Sequence, residues 1–116
     1  MKITAAIASS VILAFSTSMA HAANIVSTSP ATITQVDVYT EFGNGDVIIW
    51  LTTNSLQSSC PYGFWLRGTD TGADRVLAQV EAAYHSGTPV TIWADTTTIW
   101  SGSSSAACLI WEVRSS

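Results

Sequence analysis

The sequence predicts a mainly β domain with one helix, in the order β-β-β-α-β-β, and three features predict it. Short runs of β-branched and aromatic residues alternate with polar ones along most of the chain. One stretch, Ala73 to His85, changes to helical spacing. Clusters of Gly, Asn, Pro and Ser separate these runs.

Ahead of these elements, Lys2 is followed by the apolar stretch Ile3 to Phe15 and then by Ala20-His21-Ala22, a small-x-small cleavage site. This is the layout of a secretory signal peptide. Ser9 and Ser10 interrupt the run, which is shorter than the roughly 20 apolar residues of a spanning helix, so a leader is expected rather than an anchor or any membrane insertion. Cleavage after Ala22 would leave residues 23–116 as one domain, secreted or periplasmic.

A Ser/Thr-rich entry leads to Thr32–Phe42, where Val36 and Val38 alternate with Asp37, Tyr39 and Glu41 as in a half-buried strand. Gly43-Asn44-Gly45-Asp46 tolerates positive φ, and Val47-Ile48-Ile49-Trp50-Leu51 follows, so the two runs form a hairpin. After the polar connection Asn54–Ser59, Tyr62–Arg67 is a third strand. Asp70 or Thr71 is positioned to cap the next helix. Within it, Val76, Leu77, Val80, Ala83 and Tyr84 fall on one face, and Arg75, Ala78, Gln79 and Ala82 on the other. Gly87 supplies a left-handed C-cap and Pro89 prevents the helix from resuming. Val90, Ile92 and Ala94 alternate with Thr91, Trp93 and Asp95 in a fourth strand. Thr96–Ser105 is a polar loop, and Ala107–Val113 a last strand with Leu109, Trp111 and Val113 on one face.

Composition narrows the function. Cys60 and Cys108 in an exported chain are expected to form one disulfide, the alternative being two buried free thiols. Two cysteines and, beyond residue 22, one histidine without close spacing make a poor metal site, and no cofactor is implied. Beyond residue 22 the chain has Arg67, Arg75 and Arg114, no lysine, and eight acidic side chains, so a basic groove for nucleic acid is absent. The catalytic inventory is equally thin. Asp70 and Asp74 are explained by the helix dipole, His85 sits where a cation favours the helix C-terminus, and paired cysteines offer no nucleophile. A non-enzymatic protein is expected.

Five tryptophans carry the positive signal, because indole rings stack on the C–H faces of sugars and also donate a hydrogen bond. Trp111 is assigned to the core with Leu109 and Val113. Trp50 and Trp65 are out of phase with their apolar neighbours and could lie under the helix, at an interface or on a binding face. Trp93 and Trp100 are the leading candidates for a glycan site, with Asp95, Thr98, Ser101 and Ser103 supplying hydroxyl-directed hydrogen bonds. The competing roles are packing between protomers for Trp93 and plugging one barrel end for Trp100.

Five strands with one helix between the third and fourth is the arrangement of an OB-type five-stranded barrel. The run Val36-Asp37-Val38-Tyr39-Thr40-Glu41-Phe42, its Asn/Asp/Gly turn and Asp46–Leu51 resemble the receptor-binding B subunits of five-subunit bacterial toxins. Val76-Leu77-Ala78-Gln79 and Ser86-Gly87-Thr88-Pro89-Val90-Thr91-Ile92 extend the likeness to Shiga toxin B and to the B subunits of subtilase cytotoxin and typhoid toxin. The cysteines depart from the Shiga pattern, which ties the start of the chain to the region after the post-helix strand, so no binding residue carries over by position. The resemblance implies a homopentamer whose helices line a pore through Arg75, Ala78, Gln79 and Ala82. It also implies cell-surface glycan as ligand and a catalytic A subunit on a separate chain, as in virulence toxins. The rival expectation is a monomeric periplasmic or secreted binding or inhibitor protein of OB-like fold.

Overall fold

The computed structural model describes residues 23–116, and the expected leader lies outside them. The domain is mainly β with one helix. Its strands are β1 (Ile25–Ser27), β2 (Ile33–Val38), β3 (Val47–Leu51), β4 (Phe64–Leu66), β5 (Val90–Ile99) and β6 (Cys108–Ser115), with α1 (Ala73–Ser86) between β4 and β5. They form one six-stranded sheet in the order β1-β5-β6-β4-β3-β2. The β4–β6 pair is parallel and the others are antiparallel.

The chain order therefore differs from the expected one by an added N-terminal strand, and the sheet is not closed. The Ser/Thr-rich entry hid β1 because only Ile25 and Val26 are apolar in it. Beyond Ser27 the chain keeps following β5: Thr28 Oγ1 accepts the Ile92 N–H at 3.0 Å, and Ala31 bridges Val90. The chain then crosses to pair with β3, where Thr52 N–H donates to the Thr32 carbonyl at 2.9 Å. The two sheet edges are thus successive parts of one segment, which no ladder joins to itself.

Two irregularities decide which side chains face inward. In β2 the register shifts between Ile33 and Gln35, so that Ile33 and Val36 both reach the core. Val38, expected on the same buried face, is 54% exposed at the strand end. In β6, Glu112 pairs with Trp93 but Ile110 pairs with the next residue, Ala94. Trp111 is the extra residue of this bulge. Ile110 and Val113 consequently both point inward, and Trp111 is 65% exposed. Its assignment to the core is corrected, because strict alternation loses phase across an inserted residue.

Helix α1 packs against β2 and β6. It buries Ala73, Val80 and Ala83, with Val76 and Leu77 against the same core, whereas Tyr84, also expected inside, is 37% exposed. Gly72 precedes the helix and no side chain caps it. Asp70 contributes its backbone carbonyl to the Ala73 N–H and its carboxylate to Arg67 at 3.5 Å. Gly87, at φ 70°, ends the helix as its type predicts and donates to the Ala83 carbonyl.

Cys60 and Cys108 form a disulfide with their Cα atoms 5.4 Å apart, and both are fully buried in the inner core. Closing a loop with a sequence separation of 48 restricts the unfolded chain, by about 4 kcal/mol in the chain-entropy model. Reduction, or the double replacement of Cys60 and Cys108 by Ala, is expected to lower unfolding free energy by about that amount, read from urea midpoints with and without reductant.

Candidate functional site

The sheet has an apolar cluster on its outer face as well. Ile48, Trp65, Trp100 and Ala107 are buried there, with Tyr39, Trp50, Tyr62 and Leu109 partly buried against them. Alternation explains the division. Ile48 points outward between the inward-facing Val47 and Ile49, and Trp65 does so between Phe64 and Leu66.

Trp100 is held in this cluster. Strand β5 continues to Ile99, beyond the expected start of the loop, and the chain then folds back so that Trp100 N–H reaches the Ala107 carbonyl at 3.0 Å. The indole is 3% exposed and donates through Nε1 to Asp46 Oδ2 at 3.0 Å. Its ring meets Tyr39 at 5.3 Å, the edge of Phe42 at 5.1 Å and the face of Tyr62 at 6.3 Å. Such a ring is part of the floor and offers a sugar no free face. Gly102 permits the fold-back, since a Cβ there would collide with the indole.

Of the other five members of the expected glycan site, Ser101 and Ser103 lie in the loop after Trp100, Asp95 and Thr98 are hydrogen-bonded to each other, and Trp93 lies on β5. Asp95 is 5% exposed, and both its oxygens are committed. Oδ1 accepts from Thr97 N–H at 2.9 Å, Thr97 Oγ1 at 2.6 Å and Asn24 N–H at 3.3 Å, and Oδ2 from Thr98 Oγ1 at 2.8 Å. These bonds hold a bulge, because Asp95 pairs with Leu109 while Ile99 pairs with the adjacent Cys108, leaving residues 96–98 without partners in β6. Burial pushes the Asp95 carboxyl up, but the hydrogen bonds from Thr97, Thr98 and Asn24 outweigh it and hold the group at about 2. Ser103 bonds to the Ser105 carbonyl, and Ser101 is exposed in the loop. Trp93 lies on β5 between Ser27 of β1 and Glu112 of β6, with the Arg114 guanidinium 5.9 Å from its ring. Its N–H, like that of Trp65, is buried without a hydrogen-bond partner.

On the helix, Arg75, Ala78 and Ala82 are exposed. Gln79 is partly buried and donates to Ser115 Oγ at 3.1 Å, so part of this face is tied to the end of β6.

What the structure does bring together is a set from β2, β3 and the turn before β4. Asp37 accepts from Gln35 Nε2 at 2.9 and 3.0 Å and from Trp50 Nε1 at 3.3 Å. Tyr62 meets the Trp50 ring edge-on at 4.7 Å. Burial, then the nearby Tyr62 and Asp37, raise the Tyr39 phenol above its ordinary value, so this hydroxyl shares the environment of both. Gly63, at φ 85°, makes room: a Cβ there would lie 2.6 Å from the Ile49 carbonyl and 3.5 Å from the Trp50 ring. The available signal was the shared parity of Gln35 and Asp37 on β2 together with the out-of-phase Trp50.

An indole bearing a carboxylate, a carboxamide and two phenols is equipped for hydroxyl-rich ligands. Among the described residues there is no enclosed pocket and no group of side chains suited to a metal ion. No family model, curated protein or solved structure matches the chain.

Two tests address the supports of this surface. Asp46→Ala leaves the Trp100 and Gly68 donors without their acceptor and is expected to cost about 2 kcal/mol or more, with loss of the tryptophan near-UV signal. Asp95, held at about 2 against an ordinary 3.8, contributes stability that is present above its unfolded-state value and is lost as pH falls toward 2. The acid limb of the stability curve is therefore expected to be shallower in Asp95→Asn than in the parent, with the two curves converging at the acid end.

Proposed function

We propose that the chain is a secreted, non-enzymatic recognition subunit of the five-subunit toxin type, which binds cell-surface glycans as a homopentamer and carries a catalytic A subunit encoded separately. The observation that carries this reading is the outer-face set of Asp37, Gln35, Trp50, Tyr62 and Tyr39, which combines an apolar platform with hydroxyl-directed donors and acceptors. The disulfide suits an oxidising compartment. An OB-type barrel is supported by the parallel β4–β6 pair and by the 25–38 segment, which follows β5 first and β3 afterwards.

Ring assembly is supported by two exposed surfaces. Ala78 and Ala82 form a short-chained stripe on the exposed helix face, beside the cation Arg75, and such a stripe allows close approach of symmetry mates. Trp111 stands out on its bulge, and an apolar side chain 65% exposed is suited to cover by a neighbour. Single sites on a flat surface bind weakly, and a ring adds strength by presenting several at once.

Sedimentation and native mass measurements on the mature chain test the assembly, and a glycan array tests the ligand. A five-fold species that Trp111→Glu dissociates, together with binding to immobilised glycans, is the expected result. A strict monomer at micromolar concentration would overturn the ring and favour the monomeric binding or inhibitor reading.

A further inference from the structure

Resting on the glycan reading above, we infer that the Asp37–Trp50 surface is a subsite for one uncharged pyranose, held by Asp37, Gln35, Tyr39 and Tyr62 beside the Trp50 indole, and that it discriminates against acidic sugars. Asp37 is the central group. Its carboxylate has about four acceptor positions; Gln35 Nε2 contacts both oxygens and Trp50 Nε1 contacts Oδ2, which leaves one position, on Oδ1. Both contacts come from donors, which orient the carboxylate. One sugar hydroxyl can donate to that free position through a charge-assisted bond, and a vicinal hydroxyl is then within reach of the Gln35 carbonyl oxygen or a phenol.

The flanking groups extend the same chemistry. Neither the Tyr39 nor the Tyr62 hydroxyl spends its donor on another side chain among the described residues, and each can donate to or accept from a ring hydroxyl. The Gln35 carbonyl oxygen is a further acceptor, since its nitrogen is the atom engaged by Asp37. Trp50 is fixed by its bond to Asp37, by the Tyr62 edge and by its seat over Gly63, so little side-chain freedom is lost when a ring packs against it.

Charge sets the selectivity. Arg67 lies over Trp65 at 5.1 Å and pairs with Asp70, Arg114 lies over Trp93 and pairs with Glu112 at 3.0 Å, and Arg75 is on the helix. None of the three guanidiniums is hydrogen-bonded to Asp37 or its partners. A sugar carboxylate placed here meets Asp37 with no guanidinium paired to it, and like charges at short range repel.

The test uses the mature chain and a panel of methyl pyranosides of neutral hexoses and N-acetylhexosamines, with the methyl glycoside of N-acetylneuraminic acid as the acidic member. Binding is followed by the Trp50 indole N–H resonance and by isothermal titration. A neutral pyranoside is expected to shift that resonance and the acidic one to leave it in place. Asp37→Ala is expected to weaken binding about tenfold or more, the loss of one charge-assisted contact. The exposed Gln35→Ala, which removes no core side chain, is expected to weaken it several-fold, while Trp93→Phe and Ser101→Ala bind as the parent does. If the parent binds a glycan but Asp37→Ala and Gln35→Ala bind it equally well, the subsite is overturned and the glycan reading stands. Binding confined to the acidic sugar also overturns the proposal. A parent chain that binds no member of the panel and no glycan on the array overturns both.

Discussion

The buried Asp46 carboxylate is the constraint on which the outer half of this domain depends. A charge 3% exposed persists only where donors surround it, and here the donors come from distant parts of the chain. Gly68 N–H reaches Oδ1 at 2.9 Å from the turn after β4, and Trp100 Nε1 reaches Oδ2 from the β5–β6 connection. The Asp46 backbone carbonyl meanwhile accepts Tyr39 N–H at 2.9 Å and closes the β2–β3 hairpin. Gly43 sits at φ 61° against the same carboxylate, where a Cβ would occupy the space of the Asp46 side chain. Asp46 thus closes the hairpin through its backbone carbonyl and, through its carboxylate, ties the post-β4 turn to the loop that carries Trp100. On the opposite face the disulfide joins the loop before β4 to the start of β6, so that the β4–β6 region is secured from both sides.

This arrangement explains what could be read in advance and what could not. The hairpin, the helix and its glycine stop, and the cysteine pair are signalled locally or by simple arithmetic, and they are present as such. Helix length was legible because an apolar stripe of this kind tolerates no insertion. Strand phase was not. A single extra residue at Trp111 reverses the parity of everything after it, so Leu109, Trp111 and Val113 cannot share a face although their spacing says they do. Residues 96–98 are another insertion, held by hydrogen bonds from Thr97 and Thr98 to the Asp95 carboxylate. Asp46 was missed for a different reason. Within Gly-Asn-Gly-Asp it has the composition of a turn, and nothing local reveals that its partner is an indole 54 residues away.

The tryptophans and charged groups take on divided roles as a result. Trp65 and Trp100 are structural, Trp50 and Trp93 are partly covered, and Trp111 is exposed. Of the acidic groups, Asp46 and Asp95 are enclosed with their own donors and are unavailable to a ligand, whereas Asp37 is only partly buried. A count of carboxylates therefore overstates the acid that a partner meets.

The same accounting applies more strongly to the cations. Arg67 and Arg114 each lie over an indole and pair with a carboxylate, which spends their charge within the domain. Among the described residues Arg75 is the arginine without an ion pair, and it stands on the helix away from the aromatic sheet face. A polyanionic chain gains affinity by neutralising several phosphates at once, and the surface supplies no row of free guanidiniums for that purpose. Under the proposed reading, recognition on the Asp37–Trp50 face would come instead from C–H contact with rings and from hydrogen bonds to uncharged hydroxyls. Such contacts compete closely with water and give little net free energy per site. In the proposed ring, strength would come from the number of sites engaged together, which would make the exposed Trp111 and the Ala78/Ala82 helix face as consequential for binding as the residues of the proposed subsite.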